Sequence, residues 1–319
     1  MDGVSIIIPA YNAEQTIAEC LYAAINLRWS GDLEVIVIND GSSDKTAEIA
    51  SSFPRVRLIN VPNGGAPRAT NIGIRAARHD ILVSLDADAI LEKDWLNRII
   101  PTFDEPDVAA VGGYALTGNK SLVGKLMGYD VELRLDRTPN YTDHLYTMNT
   151  AYRRQILLEI GMFDEGLKIA YDVDISRRLI ARGYRLVLRK DAKCTHYWRD
   201  DVKGYLKQQY NYAYYRLEIT RKFKRSYDQV AGIDMILQVP LTAAVLLAAT
   251  LGSLASPFMP LLLIILPLVH LPETIKLLFG RREACVLALP FLFILRNFVW
   301  TWAAIVWVLS QGLKKLRGK

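Results

Sequence analysis

Short apolar runs and longer mixed segments alternate over the first ninety residues. The apolar runs are rich in Val and Ile and predict β-strands, whereas the mixed segments between them have the spacing of amphipathic helices. The strands are expected at 4–9, 33–39, 56–60 and 81–85, and the helices at 13–27, after 44, and at 67–77. Strands that alternate with helices predict an α/β fold, with a mostly parallel sheet flanked by helices.

The pattern changes near Asp228, where long uncharged runs replace the alternation. No charged residue occurs between Met235 and Pro272, and the stretch 284–313 is interrupted only by Arg296. A membrane-spanning helix needs about 20 apolar residues. We therefore predict a soluble domain at 1–228 and a C-terminal α-helical transmembrane region at 229–319. Its apolar segments are expected at about 235–255, 257–272 and 284–313.

The number of membrane crossings stays open. Arg281, Arg282 and the basic tail at 314–319 should all face the cytosol together with the soluble domain, which three full crossings cannot achieve. Either the last segment is a re-entrant hairpin bent near Arg296, or the charge rule fails here. Arg296 itself either binds a lipid phosphate or reaches an interface. The start of the chain lacks a basic n-region, so we expect no cleaved signal peptide and a cytoplasmic catalytic domain on a multi-pass membrane protein.

The formal net charge of +6 arises from basic residues on both sides of the apolar region. Tyrosines and basic residues are mixed at about 203–225, which predicts a helix at the membrane interface, although packing on the domain is the alternative. This placement favours an anionic membrane face as partner, not nucleic acid. Three widely separated cysteines argue against a disulfide framework or a zinc knuckle.

Polar residues follow three of the predicted strands. Asp40 ends the second, Asp86 and Asp88 follow the fourth, and Tyr11 and Asn12 follow the first. Such residues are common in turns, but the carboxyl ends of parallel strands meet at one edge, where ligands bind in open α/β sheets. Two aspartates one residue apart can hold Mg²⁺ or Mn²⁺ with phosphate oxygens. The Rossmann glycine pattern, the P-loop and the G-x-S-x-G elbow are all missing from the sequence.

An ordered set of motifs runs through the first two thirds of the chain. The motifs are SIIIPAYN at 5–12, VINDGSSDKT at 37–46, NGGAPRATNIG at 63–73, LDAD at 85–88, NTAYRR at 149–154, GMFDE at 161–165 and DVDISRRL at 172–179. Each motif alone is modest, but the series is specific and resembles the family 2 glycosyltransferases, which are inverting enzymes with a GT-A fold. The resemblance covers about residues 4–216.

The resemblance implies a nucleotide site along the sheet edge. Asp40 would accept a hydrogen bond from the base, and Asp86 would lie by the ribose and a metal-bound water. The implied nucleotide-binding residues are Pro9, Tyr11, Asn12, Asp40, Arg68, Asn71 and Asp86. The family's usual Ala-Arg-Asn appears here as Ala69-Thr70-Asn71, which puts the phosphate-side role of Arg68 in question.

The resemblance also implies a metal site and a catalytic base. Asp88 would bind Mg²⁺ or Mn²⁺ directly, with Asp86 and His196 as further ligands, and Asp172 matches the base. Tyr171 replaces the glutamate that usually precedes that aspartate, so the contribution of this neighbour is uncertain. A helix N-terminal acid is the structural alternative for Asp172.

The sugar and the acceptor are assigned to Asp174, Trp198 and Arg216, although Asp174 could instead cap a helix and Trp198 could simply pack. The Gln-x-x-Arg-Trp signature of processive synthases is missing. We therefore expect a metal-dependent hexosyltransferase that passes one sugar from a nucleotide sugar to a polyprenyl phosphate, a lipid-linked glycan or a glycolipid. A UDP-sugar is the first choice of donor and a GDP-sugar the second. The alternative is a processive or short-chain polysaccharide synthase.

Overall fold

The computed structural model describes residues 3–224, 229–230, 233–254 and 256–316. Some predictions from the sequence fall on residues outside this set, namely Arg225, Asp228 and 317–319 of the basic tail. The chain forms two compact units. The first comprises Met1–Gly118 with Arg134–Trp198, and the second comprises Asn119–Leu133 with Arg199–Lys319. The division into domains at residue 228 stays a prediction, and these units divide the chain elsewhere.

The first unit is built on a sheet whose described residues form nine strands in the order β3-β2-β1-β4-β8-β6-β9-β5, with β7 beside β9. The strands are β1 (Gly3–Ala10), β2 (Asp32–Asp40), β3 (Val56–Val61), β4 (Ile81–Leu85), β5 (Ala89–Leu91), β6 (Val108–Thr117), β7 (Tyr141–Thr142), β8 (Asn149–Arg153) and β9 (Arg185–His196).

Helices connect the strands and cover the sheet. They are α1 (Ile17–Ile25), α2 (Thr46–Ser51), α3 (Ala66–Ala76), α4 (Trp95–Ile99), α5 (Leu122–Arg137), α6 (Arg154–Glu159) and α7 (Tyr171–Ala181). The boundary between the two units falls inside α5. The predicted fold class, a mostly parallel sheet flanked by helices, is confirmed.

The parallel part of the sheet aligns the strand ends that the sequence singled out. β1 pairs in parallel with β2 and with β4, and β2 pairs in parallel with β3. The central strands are almost wholly buried, as continuous runs of Ile and Val require when both faces of a sheet are covered. Their carboxyl ends therefore lie on one edge, which carries Asp40 and Asp86.

The antiparallel part of the sheet brings a distant segment to this edge. β5 runs antiparallel to β9, and their register places Ala89 opposite His196. Since β5 begins directly after Asp88, this pairing sets the imidazole beside the two aspartates. The local sequence around β5 or around β9 does not predict this pairing, because β9 lies about a hundred residues further along the chain.

The second unit is helical over most of its described residues. Its elements after Trp198 are α8 (Val202–Phe223), α9 (Ile233–Gly252), a 3-10 turn (Met259–Ile264), α10 (Ile265–Val269), α11 (Leu271–Arg281), a 3-10 turn (Ala284–Ala288) and α12 (Leu289–Leu316). Asp201 caps α8 by accepting a hydrogen bond from the Gly204 amide.

The predicted interfacial helix packs within this unit. Gln209 on α8 accepts a hydrogen bond from the indole of Trp300 at 3.1 Å, and Glu218 accepts one from Trp307 at 2.9 Å. Both tryptophans belong to α12. One side of α8 therefore packs against α12. The position of α8 at a membrane interface stays a prediction.

The multi-pass prediction is not supported by the described residues. Among them, one helical stretch, Ala284–Gly312, is long and apolar enough to span a membrane, with 29 residues and a mean hydropathy of 1.7. In the predicted segment 235–255, α9 runs over Ile233–Gly252 with Pro240 inside it, and its described apolar part is Leu237–Gly252, which is short for a span. The segment 257–272 is divided among short helices that continue into α11, with a bend of 46°. This bent pair of helices is either a broken span or a re-entrant loop.

Arg296 binds an acidic residue of its own chain. Its Nη1 lies 3.3 Å from Oδ1 of Asp130 on α5, and its Nη2 donates to the side-chain oxygen of Gln238 at 2.9 Å. The arginine is buried, and its guanidinium also lies over the ring of Phe293. Arg296 therefore forms a buried ion pair between α5 and α12. This replaces both alternatives from the sequence, in which Arg296 binds a lipid phosphate or reaches an interface.

We expect Asp130→Asn to lower the free energy of unfolding by about 3–5 kcal/mol, because it leaves a buried arginine without its counter-charge. Thermal unfolding in detergent measures this. The double variant Asp130→Asn/Arg296→Met should recover most of the loss. Lys125→Met is the matched control, because Lys125 on the same helix forms a more exposed pair with Glu283, whose loss should cost much less stability. Equal losses from both single variants would contradict this account.

Candidate active site

Asp86, Asp88 and His196 form a cluster that can hold a metal ion. One ligand atom from each lies within 4.8 Å of the other two. His196 Nε2 is 3.1 Å from Asp88 Oδ1 and 3.7 Å from Asp86 Oδ2. Two carboxylates and an imidazole are donors that a divalent cation accepts. The Nδ1 atom of His196 is buried without a hydrogen-bond partner among the described residues, and the ring stacks on Trp198. The donor set therefore fits the predicted divalent cation.

The electrostatics of the cluster favour a cation. Burial alone would lower the pKa of His196, but the charges of Asp88 and Asp86 outweigh it and raise the pKa to about 10. Burial also raises the pKa of Asp86, and the charges of Asp88 and Asp172 add to this effect while His196 opposes it. The aspartates thus repel one another at this edge, and a bound cation would relieve the repulsion.

Asp40 is buried at the end of β2 and holds a turn in place. Its Oδ1 accepts a hydrogen bond from the Gly64 amide and its Oδ2 one from the Gly65 amide, both at 2.8 Å. Gly65 has a φ of +92°, a conformation that favours glycine. Each carboxylate oxygen keeps further acceptor capacity. Asp40 therefore shapes the wall of the predicted base pocket before any ligand binds.

Asn12 joins the exits of the first two strands. Its side-chain oxygen accepts a hydrogen bond from the Ser43 backbone amide at 2.9 Å, and its backbone amide donates to the Ser42 hydroxyl at 3.0 Å. Tyr11 beside it is 56% exposed, and Pro9 is half-buried. The ring of Tyr11 is thus available at the rim of the edge that Asp40 closes.

Arg68 and Asn71 lie on α3, but they differ in their surroundings. Arg68 is half-buried and donates to the carbonyl of Pro62 at 2.9 Å. Asn71 is 2% exposed, donates to the Phe163 carbonyl and accepts from the Phe163 amide. Asn71 therefore anchors the segment that precedes α7, and its role in nucleotide binding stays a prediction.

Asp172 begins α7, close enough to Asp86 for its charge to raise the pKa of that carboxyl. Its Oδ1 accepts a hydrogen bond from the Val173 amide at 2.8 Å, and its side chain is 21% exposed. Tyr171, which occupies the position of the family's glutamate, packs edge-on against Phe163 at 6.1 Å. The substitution thus contributes an aromatic contact that supports the start of α7 in place of a second carboxylate.

The remaining predicted sugar residues have different environments. Asp174 is fully buried and pairs with Arg178 at 2.7 Å, so it has no surface for a sugar. Trp198 stacks on His196 with the ring centroids 4.1 Å apart. Arg216 lies on α8 in the second unit, and its role stays a prediction.

Three buried residues that the sequence did not single out surround the acidic edge. Cys20 donates to the carbonyl of Asp86 at 3.5 Å, and Cys194 accepts a hydrogen bond from Asn149 at 3.0 Å. Burial and the nearby aspartates raise the pKa of both thiols well above the usual range, so they stay protonated. Burial and the charge of Asp172 likewise raise the pKa of Tyr152. No local sequence pattern marks these residues, since only the folded sheet places them beneath the site.

Comparison with known families matches part of the chain. The sequence profile described as Glycosyl transferase family 2 matches residues 5–161, which include the strand ends carrying Asp40, Asp86 and Asp88. This segment belongs to that family, and the cluster of Asp86, Asp88 and His196 fits the metal site of a glycosyltransferase.

Curated relatives of this chain include poly-beta-1,6-N-acetyl-D-glucosamine synthases. The protein of Staphylococcus aureus strain COL is 29% identical over 227 residues, which is 67% of this chain and 54% of the relative. The Staphylococcus epidermidis protein is 27% identical over 225 residues, with the same shares. The chain therefore spans about half the length of the curated relatives that it matches.

A solved structure supports the fold. The mannosyltransferase PcManGT of Pyrobaculum calidifontis, solved in complex with GDP-Man and Mn²⁺, is 21% identical with a TM-score of 0.60. The match covers 96% of this chain and 86% of the mannosyltransferase. The GT-A fold expected from the sequence is therefore confirmed.

We expect Asp174→Asn to destabilise the protein without weakening nucleotide binding. The variant removes the buried counter-charge of Arg178, whose guanidinium also donates to the carbonyls of Ile160 and Met162, so the loss should be about 3 kcal/mol. Thermal unfolding and nucleotide titration measure the two effects. A stable variant with weakened sugar binding would return Asp174 to the sugar site.

Proposed function

We propose that the protein is an inverting, metal-dependent glycosyltransferase that passes one sugar from a nucleoside diphosphate sugar to a membrane-embedded acceptor. The observation that carries this proposal is the convergence of Asp86, Asp88 and His196 at the edge where Asp172 begins α7. A metal site for a diphosphate and a separate carboxylate within its electrostatic reach are what direct displacement requires.

In the proposed reaction, Asp172 accepts the proton of an acceptor hydroxyl as the hydroxyl oxygen bonds to the anomeric carbon. The bond from that carbon to the donor phosphate oxygen breaks, and the nucleoside diphosphate leaves with the electron pair. A single attack from the side opposite the leaving group inverts the anomeric configuration. Asp172 suits this role because its side chain is 21% exposed, while the Val173 amide holds one of its oxygens in place.

Asp86, Asp88 and His196 would hold the cation. When bound, Mg²⁺ or Mn²⁺ supplies positive charge that stabilises the diphosphate as it leaves. The chain contributes the turn 63–65 locked by Asp40 and the exposed ring of Tyr11, which would receive the base and ribose. These residues bind and orient the donor, and Asp172 moves the proton.

The acceptor is proposed to be a polyprenyl phosphate, a lipid-linked glycan or a glycolipid. The helix Ala284–Gly312 is long enough to anchor the protein in a bilayer, and exposed apolar side chains of α12 such as Phe291, Trp302 and Leu309 would contact lipid. Membrane attachment would then bring the enzyme to the plane of a lipid headgroup. The catalytic unit is proposed to lie on the cytoplasmic side, where nucleotide sugars are made.

A second candidate function is the synthesis of a polysaccharide. The similarity to poly-beta-1,6-N-acetyl-D-glucosamine synthases favours it, although the match covers about half of their length. A time course with one labelled acceptor separates the two. A single product supports transfer of one sugar, whereas a ladder of product lengths supports polymerisation.

The donor is best identified by screening nucleotide sugars for enzyme-dependent release of nucleoside diphosphate in the presence of lipid extract. UDP-sugars are tested first and GDP-sugars second, with Mn²⁺ or Mg²⁺ present. We expect one nucleotide class to be turned over faster than the other by at least about tenfold, because a base pocket with fixed polar groups rejects the wrong base. Absence of release with every donor would argue against the proposed reaction.

We expect Asp88→Ala to abolish metal-stimulated transfer. Losing one ligand weakens the cation site and leaves the diphosphate charge without a partner, so the rate should fall by at least about a hundredfold. The assay compares diphosphate release at increasing Mn²⁺ with release in chelator. Asp191→Ala serves as a control, since that aspartate pairs with Arg189 on β9 away from the cluster. Normal activity of Asp88→Ala in chelator-treated buffer would refute the metal role.

We expect Asp172→Asn to retain donor binding and to lose turnover. The amide preserves the shape of the side chain but cannot accept the proton, and general-base catalysis contributes about 10²–10⁴-fold. Nucleotide affinity is measured by titration and turnover by product formation. A variant that works at nearly the wild-type rate would remove Asp172 as the base.

A further inference from the structure

A buried histidine lies against the carboxylate of Asp172. His144 belongs to the segment between β7 and β8 and is buried, and its Nε2 lies 3.3 Å from Asp172 Oδ2. The His144 side chain is 4% exposed, whereas that of Asp172 is 21% exposed. The imidazole therefore approaches Asp172 from the protein interior, and the carboxylate keeps its accessible edge for solvent or substrate.

The two oxygens of Asp172 are held from different directions. Oδ1 accepts a hydrogen bond from the Val173 amide, and Oδ2 contacts His144. Contacts at both oxygens favour one orientation of the carboxylate plane, because rotation of the side chain would lengthen at least one of them. The direction in which the carboxylate would accept a proton is then restricted as well.

The segment that carries His144 is itself restrained. The hydroxyl of Thr142 contacts the amide and the carbonyl of His144, and the Leu145 amide donates to Ser176 one turn along α7. The ring of His144 also packs edge-on against Tyr146, with centroids 5.1 Å apart. Two successive residues, His144 and Leu145, thus contact α7 at positions four residues apart on one face of the helix.

The start of α7 needs such support. Ala170, the residue before it, has a φ of +63°, which is unfavourable for a residue other than glycine. Tyr171 supplies an aromatic contact in place of a second carboxylate. Within the described part of the unit, His144 therefore provides a polar side-chain contact to Asp172 from outside α7.

We propose that His144 is a positioning residue, which fixes the carboxylate of Asp172 in the orientation for proton transfer. This inference rests on the proposed function, in which Asp172 is the base. The histidine touches no reacting atom and acts only through Asp172. Misplacing a catalytic group by about 1 Å can cost on the order of a hundredfold in rate, so its removal should reduce turnover and leave donor binding intact.

The test compares His144→Gln with His144→Asn in the full chain. Both variants keep a polar amide, but only glutamine is long enough to put its nitrogen where Nε2 lies. We expect His144→Gln to retain kcat within about threefold of wild type and His144→Asn to lose about 10–100-fold. The KM for the nucleotide sugar should stay within about twofold in both. Kinetics are measured with the donor that the screen identifies, alongside thermal unfolding.

His79 supplies a matched control. Its Nε2 lies 3.0 Å from Asp32 Oδ2, so it forms a second, more exposed histidine–aspartate pair near the amino-terminal ends of β1 and β2. His79→Gln and His79→Asn should both retain wild-type kcat. If they instead reproduce the difference between the His144 variants, that difference reflects a general loss of structure and the inference is overturned.

A double-variant measurement tests whether His144 acts through Asp172. In Asp172→Glu the carboxylate is moved by one methylene group, so the contact with His144 is already altered. We expect His144→Asn to cost less than about threefold in that background. The same loss as in the wild-type background would overturn the inference.

The outcomes separate this inference from the proposed function. If Asp172→Asn stays active, the assignment of the base fails, and the role of His144 fails with it. If Asp172→Asn is inactive while His144→Asn keeps wild-type kcat, only the inference about His144 is overturned. A loss confined to kcat, rescued by glutamine and reduced in the Asp172→Glu background, supports it.

Discussion

Electrostatic repulsion among Asp86, Asp88 and Asp172 is the constraint on which the rest of the first unit depends. Burial and the charges of Asp88 and Asp172 raise the pKa of Asp86. The register of β5 and β9 fixes Asp86 and Asp88 beside His196, and the first turn of α7 carries Asp172. The fold thus stores an unfavourable charge arrangement that a divalent cation and a diphosphate together would neutralise.

The sequence predicts this edge well because each parallel strand has its own hydrophobic pattern within a short stretch of the chain. The fourth strand was expected at 81–85 and spans Ile81–Leu85, and Asp40 and Asp86 lie at the strand ends, as expected. His196 was reached only through the family resemblance, since its position depends on a pairing between distant antiparallel strands. Tyr152 and the two buried cysteines had no signal at all, because nothing in a local pattern tells which residues a sheet will stack beneath a site.

The residue types were more predictable than the use that the fold makes of them. Asn71 and Asp174 match family positions, yet one anchors Phe163 and the other, itself buried, pairs with Arg178. The C-terminal apolar segments show the same limit. Hydropathy marks all three, but among the described residues one helical stretch has the length and composition of a span, and one bent pair of helices has them only when taken together.

The buried pair of Asp130 and Arg296 has a consequence for biosynthesis. The two residues are 166 positions apart, and the aspartate is the earlier one. Chains emerge from the ribosome amino terminus first, so the acidic partner is already synthesised when the apolar helix with its arginine appears. An arginine that would oppose insertion into lipid on its own can therefore be neutralised as soon as it emerges. Synthesis in this direction gives the last helix its counter-ion in advance, and a circular permutation that reversed the order would remove that advantage.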